Sequence, residues 1–217
     1  MDTETARFNM IEQQIRPWEV LDPVVLNALH EVRREEYVPE NYRNLAFADM
    51  HVPLAHGQVM MQPKQEARLL QELSLKPGDR VLEIGTGSGY VTALLAHLAG
   101  QVDTVDIFPD FIEAARNKLA SRGVTNVSFV EGDGARGWNS EHLYDAVFLT
   151  GSVAELPSAF PELLGDGGRL AAIVGEAPVM EAVLVEHLAG RQYRTTSLFD
   201  TSLPPLVHAE AEPSFVF

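Results

Sequence analysis

The sequence predicts an α/β protein with a doubly wound, mostly parallel sheet, and three observations carry that prediction. First, Val81-Leu82-Glu83-Ile84 reads as a buried strand and Gly85-Thr86-Gly87-Ser88-Gly89 as a tight turn. Val91, Leu94, Leu95 and Leu98 then recur at the i, i+3, i+4, i+7 spacing of a helix facing a core. Strand, glycine turn and helix form the first half of a βαβ unit. Second, Gln101-Val102-Asp103-Thr104-Val105-Asp106 reads as the next strand and ends on an acid. Third, strands and helices alternate from there to Val174, the pattern of parallel strands joined by crossover helices.

The elements follow in chain order. Residues 3–16 read as an amphipathic helix with Phe8, Ile11 and Ile15 on its apolar face, ended by Pro17. Asp22-Pro23 is an N-cap followed by proline at the first helical position, and Val25, Leu29 and Val32 line one face behind it. Residues 33–39 close this helix, and residues 46–63 are loop-rich. Residues 64–73 form a third helix with Leu69, Leu70 and Leu73 inward, and Lys76-Pro77-Gly78-Asp79 is a turn before the first strand of the core. After Asp106, Pro109-Asp110 opens a helix to about Ser121 that buries Phe111, Ala114, Ala115 and Leu119. Residues 127–130 are a third strand running into Glu131-Gly132-Asp133-Gly134, and residues 144–150 a fourth. A short helix over 157–164, a turn at Gly165-Asp166-Gly167-Gly168 and a fifth strand over 169–174 follow. Residues 182–188 and 193–199 read as an antiparallel hairpin turning at 189–192, although Met180, Val183, Leu184 and His187 also fit a helical period. Pro204-Pro205-Leu206 opens a non-helical tail. The expected organisation is one domain over 1–217: an N-terminal helical and loop segment (1–75), a core (76–178), and an antiparallel C-terminal edge with its tail (179–217).

Composition narrows the partners. The 217 residues include 16 Lys+Arg against 31 Asp+Glu, a net charge of −15. Affinity for nucleic acid rests largely on basic patches, and the only adjacent basic pair is Arg33-Arg34. Neither nucleic acid nor an anionic membrane surface is an expected partner. No apolar run approaches the ~20 residues of a bilayer span. The start, Met1-Asp2-Thr3-Glu4, lacks a signal-peptide pattern. The chain has no cysteine, so disulfides, thiolate chemistry and Cys-based zinc sites are excluded. The histidines show no metal-ligand spacing, and no metal is expected. A cytoplasmic location is the expectation.

The glycine turn indicates the ligand. A dinucleotide fingerprint is G-x-G-x-x-G, and its last glycine falls on Tyr90. The pattern present is G-x-G-x-G preceded by Glu83, which resembles motif I of the S-adenosylmethionine (SAM) methyltransferases. The fold implied is the Rossmann-like class I methyltransferase fold, and the cofactor implied is SAM. An acid about 20 residues past such a turn can accept hydrogen bonds from ribose hydroxyls, which makes Asp106 a candidate. The alternative is a glycine-rich βα turn with a chance surface acid.

Further motifs narrow the resemblance. They include Arg7-Phe8-Asn9-Met10-Ile11-Glu12-Gln13-Gln14-Ile15, Val32-Arg33-Arg34-Glu35-Glu36-Tyr37-Val38-Pro39, Ala46-Phe47-Ala48-Asp49 and Val52-Pro53-Leu54. Gly57-Gln58, Gln62-Pro63, Gly132-Asp133-Gly134, Tyr144-Asp145-Ala146, Leu164-Gly165-Asp166-Gly167-Gly168 and Val174-Gly175-Glu176 follow in order. Over almost its whole length the chain resembles the protein L-isoaspartate (D-aspartate) O-methyltransferases. The resemblance implies methylation of isoaspartyl carboxylates in proteins or peptides as a repair reaction. It implies cofactor contacts from Glu83, Gly85, Thr86, Gly87, Ser88, Gly89, Asp106, Ile107, Asp133, Gly134 and Thr150, with Asp133 near the adenine amine. It places Met61, Gln58 and His56 in the loop that meets the acceptor.

That loop departs from the family pattern. Family members resemble G-x-G-Q-T-I-S-Q-P, and this chain reads Ala55-His56-Gly57-Gln58-Val59-Met60-Met61-Gln62-Pro63. Met61 holds the serine position and Val59 the threonine position, so two hydroxyls are absent. A carboxylate acceptor with a pKa near 4 is ionised at neutral pH and needs no general base. The serine would orient the acceptor, and its loss corresponds to about 1.5–3 kcal/mol, roughly one to two decades of rate. A different, less polar acceptor on the same fold is the alternative, as is a SAM-binding module with little isoaspartyl activity. Thr150 also reads as a plain strand end, Trp138 as core packing rather than an adenine cover, and His56 as an incidental loop histidine.

Overall fold

The structure is a computed structural model, and it describes residues 2–190 and 192–209. Arg191 of the hairpin turn and residues 210–217 of the tail lie outside the described residues.

Among the described residues, seven strands form one sheet in the order β5-β4-β3-β6-β7-β8-β9. They are β3 (Arg80–Ile84), β4 (Gln101–Asp106), β5 (Val127–Glu131), β6 (Tyr144–Val153), β7 (Leu164–Glu176), β8 (Val179–Leu188) and β9 (Gln192–Asp200). From β5 to β7 the strands run parallel, and β7-β8-β9 is an antiparallel meander. The chain moves outward from β3 to β5 and returns to lay β6 on the other side of β3. The order therefore reverses between β3 and β6, the crevice where doubly wound sheets bind ligands. Among the described residues, five α-helices accompany the sheet: α1 (Thr3–Met10), α2 (Pro23–Glu31), α3 (Pro63–Leu73), α4 (Tyr90–Leu98) and α5 (Pro109–Ala120). Strand residues pointing to alternate faces feed two cores: Val81, Ala146 and Phe148 meet α3 and α4, while Leu82, Ile84, Val147 and Leu149 pack beneath Phe160 and Leu170. Among the described residues, no helix is long and apolar enough to cross a membrane.

Several expectations are corrected. The first helix does not stop at Pro17. It widens into a π turn at Ile11–Ile15 and tightens into a 3-10 turn at Arg16–Trp18, where a proline in the first turn breaks no helical bond. The change of pitch rotates its buried face, so Ile11 and Ile15 are buried and Phe8 is 53% exposed, with Arg7 turned inward to Glu4 and Glu35. In α5, Ile112 is buried in place of Ala114. The helix expected over 157–164 is only the turn Pro161–Leu163, because Leu164 already belongs to β7 opposite Tyr144. The four-residue glycine turn is a bulge inside β7: Tyr144 pairs with Leu164, then Ala146 with Arg169, and Gly167 supplies a φ of +77°. Within the loop-rich 46–63 stretch, β1 (Val52–Pro53) and β2 (Val59–Met60) pair antiparallel. The expected strand over 182–188 forms, beginning earlier at Val179 and displacing the competing helix; exposed and buried positions alternate at its start and residues 182–185 are all buried.

Candidate active site

Each element delivers a few atoms to one cavity at the C-terminal ends of β3, β4 and β6. Its walls are Gly85 and Gly87 after β3, Asp106, Ile107 and Phe108 after β4, and Gly132, Asp133, Gly134 and Ala135 after β5. Thr150 and Gly151 close it from β6, and Leu54, Gln58 and Val59 reach in from the β1–β2 loop. Leu203, Pro204, Leu206 and Val207 lie over it from the C-terminal side. That last segment is strapped to β6. Ser152 N–H donates to Pro204 O (3.1 Å), Leu206 N–H donates to Ser152 O (2.9 Å), and the Ser152 hydroxyl donates to Leu203 O (2.9 Å). The described part of the tail thus folds over the cavity.

The glycine loop is shaped by steric exclusion. Gly85 has φ +98°, and a Cβ there would sit 2.1 Å from Thr150 Oγ1. The one hydroxyl hydrogen of Thr150 is shared between Gly85 O (2.5 Å) and Ile84 O (3.0 Å), so toward a ligand the group offers only lone pairs. Gly87, with φ +49°, turns its N–H onto Asp106 Oδ2 at 2.8 Å. Phe108 N–H reaches Asp106 Oδ1 at 2.9 Å. Each oxygen of this buried carboxylate holds one backbone donor, which leaves about two of its roughly four acceptor sites free for hydroxyl groups. Burial raises the Asp106 pKa, and the Gly87 and Phe108 amides pull it back.

Two residues expected to touch the cofactor sit elsewhere. Glu83 is fully buried beneath the loop and does not line the cavity. Its Oε2 accepts from Thr92 and Thr104 hydroxyls, both at 2.6 Å, and Thr104 joins Thr86 at 2.6 Å. Burial pushes the Glu83 pKa up to about 8 despite these bonds, so at neutral pH it is mostly a neutral acid bracing the loop from below. The reason is register: side chains alternate along β3, and Glu83 points to the face opposite Leu82 and Ile84. Gly89 is also outside the cavity. A Cβ on it would come within 2.8 Å of Ala115 Cβ, so it permits α4 to approach α5. Thr86 and Ser88 line a smaller adjoining chamber with Leu54, Val59, Met60, Met61 and Tyr90.

Asp133 lines the main cavity and pairs with His208 of the strap at 2.7 Å. Burial works to raise its pKa, but the His208 contact and the Ala135 N–H outweigh this and hold it below the usual carboxylate value. Gly134 has no room for a side chain, because a Cβ there would lie 2.9 Å from the side chain of Ile84. Trp138 packs its ring against Gly132 and the second core, outside the cavity lining. His56 is not an idle loop residue. It stacks on Phe108 (4.1 Å between centroids) and contacts the Asp110 carboxylate at 2.9 Å, which joins the loop to the start of α5 and lowers the Asp110 pKa. Gln58 lines the cavity and donates to His56 O at 3.2 Å. Met61 is 2% exposed.

A family model described as protein-L-isoaspartate(D-aspartate) O-methyltransferase (PCMT) matches residues 5–210. The chain belongs to this family. Among similar proteins, the protein-L-isoaspartate O-methyltransferase of Methanoculleus marisnigri is 40% identical over 93% of this chain and 91% of its own. Protein-L-isoaspartate O-methyltransferase 1 of Rhodopseudomonas palustris strain HaA2 is 38% identical over 94% of this chain and 84% of its own. In three dimensions the fold matches a solved protein-L-isoaspartate O-methyltransferase with a TM-score of 0.78 at 24% identity, over 94% of this chain. The chain spans 65% of that longer one. A Plasmodium falciparum chain assigned to the same methyltransferase type, solved in complex with S-adenosyl-L-homocysteine, matches with a TM-score of 0.76 at 22% identity, over 95% of this chain and 98% of its own. The fold is the class I SAM-dependent methyltransferase fold.

Within this family member, several site residues escaped sequence reasoning. Phe108 and Phe111 line the cavity although Phe111 reads simply as a core position. Lys118, half-buried in α5, donates to Ser88 O (3.1 Å) and Tyr37 O (3.1 Å) and so tethers the glycine loop. Arg34, half of the only adjacent basic pair, is fully buried rather than solvated. A basic residue in a short charged stretch carries no local sign of burial; only its partners, remote in sequence, reveal it.

Proposed function

We propose that this chain transfers a methyl group from SAM to the free carboxylate of isoaspartyl residues in proteins or peptides. The observation that carries the reading is that the β1–β2 loop and the glycine loop share one cavity: Leu54, Gln58 and Val59 line it together with Gly85, Gly87 and Asp106. The donor set fits the cofactor. The spare acceptor capacity of Asp106 suits a ribose diol, Gly85 and Gly87 leave the backbone open to the amino-acid end, and Ile107 with Phe108 supplies an apolar wall. Asp133 and Gly134, which line the same cavity, would hold the adenine end, as the family resemblance implies. SAM supplies a sulfonium methyl, an electrophile that a carboxylate attacks without proton transfer. The chain's own work is therefore to hold acceptor and donor in line and exclude water. His56, docked on Phe108 and Asp110, fixes the loop tip, and the strap at 203–207 covers the cavity. The described parts of 1–75, 76–178 and 179–217 act here as one domain, because loop, core and strap each contribute to the same walls. The acidic balance of −15 argues against a polyanionic acceptor.

Met61 stands at the position of the family serine and offers no donor. Orientation of the acceptor carboxylate falls to Gln58 and to backbone N–H groups of the loop. Met61→Ser is expected to raise turnover on an isoaspartyl peptide by roughly tenfold or more; no gain in steady-state kinetics would show that the acceptor lies elsewhere. A second reading, a less polar acceptor, is favoured by the apolar wall of Val59, Met60 and Met61. The deciding experiment is methyl transfer from labelled SAM to an isoaspartyl peptide beside its matched aspartyl peptide. Selective, saturable transfer supports repair. Confirmed SAM binding with no transfer supports the second reading.

A further inference from the structure

Between Met61 and Gln62 the loop hands over to α3, and both polar groups of that single peptide unit are held by buried side chains. Met61 O accepts from Arg34 Nη2 at 2.8 Å. Gln62 N–H donates to Gln65 Oε1 at 3.0 Å. Arg34 is 0% and Gln65 1% exposed. A peptide plane gripped at its carbonyl and at its amide cannot rotate about the flanking Cα atoms, so the backbone angles that aim Met61 are fixed.

Each grip also refers the loop to another wall of the site. The Arg34 guanidinium donates to Ala46 O (2.9 Å), pairs with buried Glu66, and lies 4.9 Å from the ring centroid of Tyr90, the residue directly after the glycine loop. Burial raises the Glu66 pKa against the pull of Arg34, while Arg34 stays protonated. Gln65 Nε2 donates to Thr201 Oγ1 (2.5 Å) and Ser202 O (3.3 Å), immediately before Leu203 of the strap, and its Oε1 also meets His51 Nε2 at 3.0 Å. One side chain ties the loop to the glycine-loop helix and the other ties it to the strap. A buried ion pair adds little stability over an apolar pair of the same shape, whereas the guanidinium's fixed fork of donors specifies geometry.

We propose that Arg34 and Gln65 are positioning residues that clamp the Met61–Gln62 peptide unit from its two sides and set where the acceptor meets the methyl group. The inference rests on the reading of this loop as the acceptor loop. The test compares wild type with the double variant Arg34→Met/Glu66→Met, in which no unpaired charge is left buried, and with Gln65→Met. Three quantities are read: S-adenosylhomocysteine affinity by calorimetry, kcat and KM for an isoaspartyl peptide, and hydrogen exchange of residues 52–62. The expected result is a folded protein with affinity within about threefold of wild type, faster exchange over 52–62 in both variants, and a loss of at least about tenfold in kcat/KM. Wild-type exchange and kinetics would overturn the proposal. If the double variant does not fold, Arg34→Lys decides, since an ammonium keeps the Glu66 pair but cannot serve Met61 O and Ala46 O with the same fork; wild-type behaviour there overturns it equally. If wild type methylates no isoaspartyl peptide, the repair reading fails, and exchange with retained affinity still decides the clamp on its own.

Discussion

The two halves of the cavity are built in opposite ways. The glycine-loop half is held within the sheet: Asp106 holds Gly87 from the end of the next strand, Thr150 holds Gly85 from the neighbouring strand β6, and Glu83 braces Thr104 and Thr92 from within the same layer. The β1–β2 loop half lies outside the seven-stranded sheet. Its two-residue strands cannot stand alone, and it is held by side chains from segments that also lie outside that sheet: Arg34, Gln65 and the His56–Asp110 contact. A part fixed by its own backbone geometry tolerates no added atoms. A part fixed by side chains from outside the sheet has room to change the residues it presents while keeping its path.

The sharpest way to break this contrast is Gly85→Ala. Its φ of +98° and the 2.1 Å approach to Thr150 Oγ1 leave no place for a methyl. The expected loss is roughly 3 kcal/mol of stability, with S-adenosylhomocysteine binding undetectable by calorimetry; a variant that binds normally would show the loop to be as adaptable as its counterpart.

Next in size is the pH behaviour of Glu83. Its folded pKa of about 8 exceeds the ordinary 4.5. The native state therefore holds a proton that the unfolded chain releases across this window. The stabilisation is complete below about 4.5 and is lost as pH rises toward 8. Glu83→Gln removes the titration, so its unfolding free energy relative to wild type should climb as pH rises from 5 to 8, by an amount on the order of a few kcal/mol at most, read by denaturant melts at each pH. A constant difference would mean that Glu83 is ionised in the fold.

Asp106→Ala sharpens the comparison from the ligand side. It removes an acceptor and frees the Gly87 amide, and affinity for SAM should fall roughly tenfold or more. Unchanged calorimetric affinity would take Asp106 out of the site. The smallest effect belongs to the exposed His56–Asp110 contact. His56→Ala should change the acceptor KM by no more than about threefold, because an exposed polar contact contributes little; a larger change would mark His56 as a direct substrate contact.

The cofactor half was legible in the chain because its physics is short-range. Alternating glycines, an acid ending the next strand and helical spacing from Val91 to Leu98 each report local geometry, and the parallel core with its antiparallel edge followed. Glu83 and Gly89 misled for a reason equally local: a motif names residues, and only strand register and helix packing say which way they face. Phe8 was misplaced because the π turn at Ile11–Ile15 shifts the helical period.

By itself the sequence determined the fold class, the glycine loop and the family, since hydrophobic period, turn chemistry and motif order are properties of neighbouring residues. Only the tertiary structure decided that Arg34 is buried, that Gln65 holds the Met61–Gln62 peptide, and that Leu203 to Val207 cover the cavity. A buried charge or amide is stable only when distant partners satisfy it, and that condition is written in the packing of the whole chain rather than in any stretch of it.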